Sequence, residues 1–317
     1  MPSCQPPNSP LALKNLTAAE SQLSTRLRRH VEILSEAIGI RNTDRPGGLE
    51  AAARYIEDHL RKHGFDPQPQ IFRAGGIDVR NIEVEIPGTH PRKKSDILLL
   101  GAHYDSVDCP AANDNASGVA GVLEAAAQLA GKRFKRTLRL IFFVNEEPPY
   151  YKGEFMGSVR YARRCRARNE NIRGLNNLET IGCYYENPGS QLYPDPRLER
   201  LIRWLPGLRQ RRGNFVVFTG NFDSWRLIHR TYMRFKRHAR FRALWLPAPS
   251  HIMGPDMSDQ WSFWQVGYPA LMVTDTAFLR YPYYHQSQDL PKHMNFDCMA
   301  RVVRGVIETT QDMAGRC

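Results

Sequence analysis

Cysteine is scarce in this chain: Cys4, Cys109, Cys165, Cys183, Cys298 and Cys317 are spread over 317 positions without a single C-x-x-C pair. That spacing excludes a dense disulfide framework and a cysteine-based zinc module, and makes reduced thiols the expectation. Long apolar runs are missing as well. No stretch approaches the ~20 residues that a membrane-spanning helix needs. The opening residues, Met1-Pro2-Ser3-Cys4-Gln5-Pro6-Pro7, lack a basic segment leading into an apolar one, so no secretory leader is expected and a cytoplasmic location is. Internal repeats and linkers are also absent. This favours one domain over residues 17–317, behind an irregular, proline-bearing segment 1–16.

Acidic residues are outnumbered, 32 against 44 Lys and Arg, giving a formal charge of +12. A nucleic-acid or anionic-surface partner therefore has to be weighed. The cations are dispersed over 132–136, 160–173, 197–212 and 226–242, with no zinc-finger, RNA-binding or basic-zipper signature. A solvated basic surface is the simpler reading, and no specific nucleic-acid partner is expected. Trp225, Tyr232 and Phe235 in the last of these stretches are assigned to the core.

Periodicity lays out the elements. Thr17-Ala18-Ala19-Glu20 has the form of a capping box, and Leu23, Leu27, Val31 and Leu34 follow on one helical face up to Gly39. A second helix begins after Arg45-Pro46-Gly47, carries Leu49, Ala53, Ile56 and Leu60, and meets Gly64 as its stop. His30, His59 and His63 on these helices read as surface residues without chemistry. Ile71-Phe72-Arg73 and the alternating run 79–86, ended by Pro87-Gly88, predict an antiparallel strand pair. Ile97-Leu98-Leu99-Leu100 is continuously apolar, as a strand covered on both faces is, and residues 138–144, apolar apart from Arg139, read as the next buried strand. Between them, residues 117–130 predict a helix N-capped by Ser117, so the three elements form a right-handed parallel crossover. Further helices are expected at 156–164, 195–204, 222–241 and 296–313, and strands at 177–182, 214–218 and 268–274. The fold class is α/β with a parallel core.

Chemistry-bearing residues gather at the ends of these strands. His103-Tyr104-Asp105 closes the first apolar run, and Asp114 follows eleven residues after the histidine in Asn113-Asp114-Asn115-Ala116-Ser117-Gly118. The second run leads straight into Asn145-Glu146-Glu147-Pro148-Pro149. Glu179 sits on a later strand and His285 follows the last one. In an open α/β sheet, ligands bind just outside the carboxyl ends of the strands. His103, Asp114, Glu147, Glu179 and His285 supply the two imidazoles and three carboxylates that a pair of zinc ions needs when one carboxylate bridges them. Three negative charges leave such a centre at +1, which a hydroxide neutralises. Glu146 remains as an acid that binds no metal, suited to be the general base beside a metal-activated water. Asp105 is placed to accept the other N–H of His103 and fix its tautomer. Singly, each residue reads equally as a solvated loop side chain; their recurrence at strand ends carries the argument.

In order, His103-Tyr104-Asp105-Ser106, the 113–118 turn, Asn145-Glu146-Glu147, Leu178-Glu179-Thr180-Ile181-Gly182, Ser258-Asp259 and Tyr284-His285 with Asp289 are similar to the motifs of the co-catalytic zinc aminopeptidases. That is the family of bacterial leucyl aminopeptidase and aminopeptidase S, to which glutaminyl cyclase and transferrin-receptor-like domains are related. The resemblance runs from about residue 51 to the C-terminus. It implies a three-layer α/β sandwich of the zinc-exopeptidase type around a mixed, mostly parallel sheet. It also implies hydrolysis of N-terminal residues from peptides with a free N-terminus, through a zinc-bound hydroxide with Glu146 as base. Two Zn²⁺ per chain are implied, one on His103, Asp114 and Glu179, the other on Asp114, Glu147 and His285, with Asp114 bridging. Tyr284 corresponds to a tyrosine that polarises the scissile carbonyl. Two departures stand out: Glu179 where most members carry aspartate, and Gln260 in place of the histidine after Ser258-Asp259, so that segment is given no catalytic role. The alternatives are a glutaminyl-cyclase-like transferase with one zinc, an inert binding module of the same fold, and a binder of nucleic acid or anionic membrane.

Overall fold

Local chemistry opens the first helix as the sequence predicts. Thr17 Oγ1 accepts the Glu20 N–H at 3.2 Å and Glu20 Oε2 accepts the Thr17 N–H at 2.8 Å, starting α1, Ala18–Glu32. A π-helical turn, Ile33–Ile38, carries it on to Gly39. Helix α2, Pro46–Lys62, begins on a proline, whose missing N–H has no intrahelical partner to lose there. It stops at Gly64, whose φ of 82° glycine adopts without strain. The computed structural model describes residues 11–13, 16–193, 200, 210–249 and 254–316. The helix expected over 195–204 lies outside them apart from residue 200, as do Cys4 and Cys317.

One eight-stranded sheet organises the rest. Its strands are β1 Gln68–Ala74, β2 Ile77–Ile86, β3 Asp96–His103, β4 Thr137–Phe143, β5 Asn171–Glu179, β6 Val216–Gly220, β7 Ala243–Pro247 and β8 Ala270–Thr274, in the order β1-β2-β4-β3-β5-β8-β6-β7. The centre, β4-β3-β5-β8, is parallel, as is β6-β7. The pairs β1-β2, β2-β4 and β6-β8 are antiparallel, so the sheet is mixed. Strand alternation sends Leu98, Leu100, Leu138 and Leu140 to one face, into a core shared with α1, α2, α3 (Ser117–Leu129), α5 (Trp225–His238) and α7 (Phe296–Ala314). Ile97, Leu99, Ile141 and Phe143 face the other way, onto α4 (Gly157–Ala167) and α6 (Gln260–Trp264). Helices on both faces bury both sets of leucines, at about 1.5–3 kcal/mol for each fully buried side chain, and make the three-layer α/β sandwich.

Several expectations are corrected. Ser117 is not the N-cap of α3; its Oγ donates back to Asn113 O at 2.7 Å, and Asn115 Oδ1 accepts the Gly118 N–H at 2.9 Å instead. Strand β5 begins at Asn171 and ends at Glu179, because Thr180, at φ 46°, turns the chain out of the sheet. Strand β7 and helix α6 were not foreseen, since each is only five residues long, too short for a pattern to repeat distinctively. His30 is buried rather than on the surface: Glu124 of α3 reaches within 3.4 Å of its Nε2 and Tyr55 Oη within 2.6 Å of Nδ1, which offsets its desolvation. His59 and His63 continue from it as a ladder of rings, with centroids 4.7 and 4.4 Å apart. In α5, Phe235 is buried and Tyr232 half-buried, but Trp225 is exposed. At 100° per residue it lies roughly 100° around the helix from the face that Ile228, Thr231 and Phe235 bury. Cys109, Cys165, Cys183 and Cys298 are free and buried.

Candidate metal centre

Every residue that the sequence nominated comes to one end of the sheet. His103 is the last residue of β3, Glu179 the last of β5, and Glu146 and Glu147 follow β4. Asp114 lies in the turn before α3, whose Asp114–Asn115 peptide is cis, and His285 in the loop after β8. Parallel pairing of β3 with both β4 and β5 is what aligns these ends.

Asp114 stands between the histidines. Its Oδ1 is 3.3 Å from His103 Nε2 and its Oδ2 is 3.0 Å from His285 Nε2. Glu179 Oε2 lies 3.2 Å from His103 Nε2, and Glu147 Oε1 3.2 Å from His285 Nε2. Two groups, His103-Asp114-Glu179 and Asp114-Glu147-His285, can each gather around one point and share Asp114. Glu146 belongs to neither; its Oε2 is 3.9 Å from His103 Nε2.

Loop-to-loop hydrogen bonds hold these donors. Asp105 Oδ1 accepts the Glu146 N–H at 3.1 Å and Oδ2 the Glu147 N–H at 3.0 Å, so one carboxylate fixes the backbone under both glutamates. The expected bond to His103 is not formed: Nδ1 lies 3.4 Å from Asp105 Oδ1 without hydrogen-bond geometry, because both oxygens are aimed at the amides. Asp289 does the same for the other loop, accepting from Asn113 N at 2.8 Å and Asp114 N at 3.1 Å, with Tyr281 Oη donating to it at 2.9 Å. Asn115 ties that turn to β5, donating to Leu178 O at 2.8 Å while its Oδ1 accepts from Gly118 and from Thr180 N at 3.2 Å. Gly118 is required there; a Cβ would meet Asn115 Oδ1 at 2.4 Å and Leu178 O at 2.5 Å. The buried Arg41 donates to the carbonyls of Leu34, Gly39, Tyr104, Pro110 and Ala111, clamping the approach to the turn.

The electrostatics of the cluster ask for a cation. Burial raises Glu147 and Glu179, each to about 7, and neighbouring charge adds to it. Glu146 is driven well above the carboxylate range by burial and by Glu147, Glu179 and Asp259. Burial would lower the imidazoles, yet the surrounding carboxylates reverse that, holding His103 well above its ordinary value and His285 at about 10. Burial would raise Asp114 too, but the two neighbouring histidines win and lower it. Two buried carboxylate oxygens beside the histidines, Asp114 Oδ1 and Glu147 Oε1, have no hydrogen-bond partner. Oxygen and imidazole donors left open around two points fit divalent metal ions.

Other groups at the site were not recognised in the sequence. Ser258 Oγ donates to Glu179 Oε2 at 2.7 Å and orients the longer arm that distinguishes this position. Asp259 is fully buried, has neither oxygen hydrogen-bonded and titrates near 7, through burial first and then the charges of Glu179 and Asp105. Gln260 fills the usual histidine position by donating to Pro255 O at 2.8 Å and accepting from Asn177 Nδ2 at 3.2 Å. Ser258 and Asp289 lay inside recognised motifs and so had a signal; Arg41 had none. Tyr284 stacks on His285 at 4.0 Å and packs on Phe278 at 5.7 Å. Burial and then Asp114, Glu147, Glu179 and Glu146 push its phenol well up.

With this arrangement in view, residues 81–310 match the model of peptidase family M28. The chain belongs to peptidase family M28. The M28 chain is 32% identical over 292 residues to the uncharacterized protein YfbL of Escherichia coli, covering 89% of this chain and 86% of that protein. It shares its fold with BSAP, a zinc aminopeptidase from Bacillus subtilis, at TM-score 0.71 and 14% identity, covering 92% and 95% of the two chains. Glutaminyl cyclase from Fimbriiglobus ruber superposes at TM-score 0.64 with 16% identity, covering 97% and 99%. Among the described residues no helix is long and apolar enough to cross a membrane.

Proposed function

We propose that this M28 member is a zinc-dependent aminopeptidase that uses two ions bridged by Asp114. The observation that carries the reading is the split of the Asp114 carboxylate, Oδ1 toward His103 and Oδ2 toward His285, each histidine paired with its own glutamate. His103, Asp114 and Glu179 would hold one ion, and Asp114, Glu147 and His285 the other. When bound, such ions supply Lewis acidity toward a carbonyl oxygen and toward water.

The chain's own groups supply the rest. Glu146, which belongs to neither group of donors, takes a proton as carboxylate from the attacking water and returns it to the leaving amine. Tyr284 directs its phenol to the scissile carbonyl, where negative charge develops. The carboxylates around the centre give a protonated α-amine a favourable seat, which restricts cleavage to peptides with a free N-terminus. Ser258 and Asp105 position Glu179 and the two adjacent glutamates.

The purified protein is expected to carry two zinc ions and to release N-terminal residues from free peptides but not from N-acetylated ones. A chelator abolishes this and Zn²⁺ restores it. Glu146→Gln retains both metals and loses about 10²–10⁴-fold in kcat; full activity in that variant would overturn the role of Glu146. The second reading is a glutaminyl-cyclase-like transferase, favoured by the nearly complete overlap with the Fimbriiglobus fold. One tightly held zinc together with pyroglutamate formation from N-terminal glutamine would establish that reading instead.

A further inference from the structure

The exposed apolar side chains of this protein are not scattered. Of the seven large ones among the described residues, five, Phe222, Trp225, Met233, Trp245 and Leu246, lie on α5, the turn before it and β7, each between 40% and 56% exposed. Trp245 packs its ring 5.2 Å from His229 and 6.4 Å from Tyr232 of α5, which joins the helix to one side of the edge strand; Leu246, the next residue, lies on the strand's other side. A monomeric soluble protein rarely leaves such a contiguous patch open without a use for it.

Cations outnumber acids around the patch, where Asp223, in the turn between Phe222 and Trp225, is the exposed acid. Helix α5 contains five Lys or Arg, Arg226, Arg230, Arg234, Lys236 and Arg237, and no Asp or Glu. Arg226, Arg230, Lys236 and Arg237 are exposed and, among the described residues, none of the four forms an ion pair. At 100° per residue they fall within roughly 120° of arc, together with Trp225 and Met233, opposite the buried face of Leu227, Ile228, Thr231 and Phe235. Large apolar groups rimmed by snorkelling cations are what an anionic lipid surface accommodates: the rings enter the headgroup boundary while the guanidinium and ammonium groups meet phosphate.

We propose that the α5–β7 face docks this protein on an anionic membrane surface. Nucleic acid is a poorer match, because the exposed helix face places tryptophan and methionine among the cations, where phosphates would lie. Topology makes the docking compatible with catalysis. Strand β6 runs antiparallel to β8 and β7 parallel to β6, so Phe222, Trp225 and Leu246 lie at the end of the sheet opposite to His103 and Glu179. The docked protein therefore keeps its metal centre turned toward solution. This inference is independent of the aminopeptidase reading.

The test is flotation of the full chain with phosphatidylcholine vesicles and with vesicles containing about 30% phosphatidylglycerol, at roughly 50 and 300 mM NaCl. Binding is expected on the anionic vesicles, falling with salt. Each cation near the surface contributes about five-fold to partitioning, so R226E/R230E/R237E, which removes three and adds repulsion, is expected to bind at least about a hundred-fold more weakly. The variant W225S/W245S, which leaves every charge in place, should also lose at least ten-fold on the vesicles and leave any binding to a labelled single-stranded oligonucleotide unchanged. All these positions are exposed, and unchanged melting temperatures confirm that the variants fold. No binding to anionic vesicles at low salt overturns the proposal. So does binding that charge reversal abolishes but the tryptophan pair does not affect, which marks a general polyanion surface. Equal binding to neutral vesicles overturns it as well.

Discussion

Replacing Asp105 by alanine separates the scaffold of the centre from its metals. Asp105 binds no cation in the proposed arrangement, yet its carboxylate accepts the amides of both Glu146 and Glu147, at 3.1 and 3.0 Å, in a site where it is itself buried. Hydrogen bonds to a charged group contribute about 1.5–3 kcal/mol each, so two give an upper figure of about 6 kcal/mol. Water entering the space left by the side chain can re-pair the amides and reduce the loss to about 3 kcal/mol. At roughly 2 °C per kcal/mol for a chain of this size, the metal-free variant should melt about 6 °C lower than the metal-free parent. Measuring both without metal keeps ligand stabilisation out of the comparison. Because the two glutamates then lose their fixed backbone, zinc affinity by chelator competition should fall about 10–100-fold. Asp105→Asn, which keeps one acceptor oxygen but turns an NH₂ toward the second amide, should fall between the two. An Asp105→Ala protein with unchanged melting temperature and zinc affinity would show that the amides need no carboxylate, and the positioning argument would be wrong.

Three further outcomes follow from the same structure. Gly118→Ala forces a methyl against Asn115 Oδ1 and Leu178 O and should cost about 1–3 kcal/mol, read as a lower unfolding midpoint in urea. Arg41→Met strips donors from five buried carbonyls; a loss of about 4 kcal/mol or more, or failure to accumulate as folded protein, is expected. His59 is pushed down to about 4 from 6.5, by burial first and then by His30 and His63. The unfolded chain therefore binds more protons there, and stability falls as pH drops from about 6.5 toward 4. Solvent screening of this half-buried ring limits the effect to roughly 1–2 kcal/mol. His59→Gln should flatten that part of the stability profile, and an unchanged acid slope would rule the group out.

Much of this molecule was legible in the sequence because the responsible physics is local. The Thr17 capping box, the stop at Gly64 and the doubly buried runs of β3 and β4 depend on residues a few positions apart, and the structure contains all of them. The placement of His103, Glu146, Glu147 and Glu179 at strand ends was also local information, since a run of apolar residues has to end where the sheet ends. What the sequence could not decide is which distant groups meet. Ser258 on Glu179, Asp289 under Asn113 and Asp114, and Asp105 choosing two amides over the imidazole all join residues tens to hundreds of positions apart. His30 and Trp225 show the same limit from opposite sides. Each has charged sequence neighbours, but Glu124 of a third helix allows the first to be buried, while the second ends up on a face of α5 that no element among the described residues covers. The residue types alone set the chemistry available to this protein; the parallel packing of β3, β4 and β5 brings His103, Glu147 and Glu179 to one end of the sheet, beside Asp114 and His285, because only the hydrogen-bonded register of neighbouring strands fixes the relative height of three strand ends.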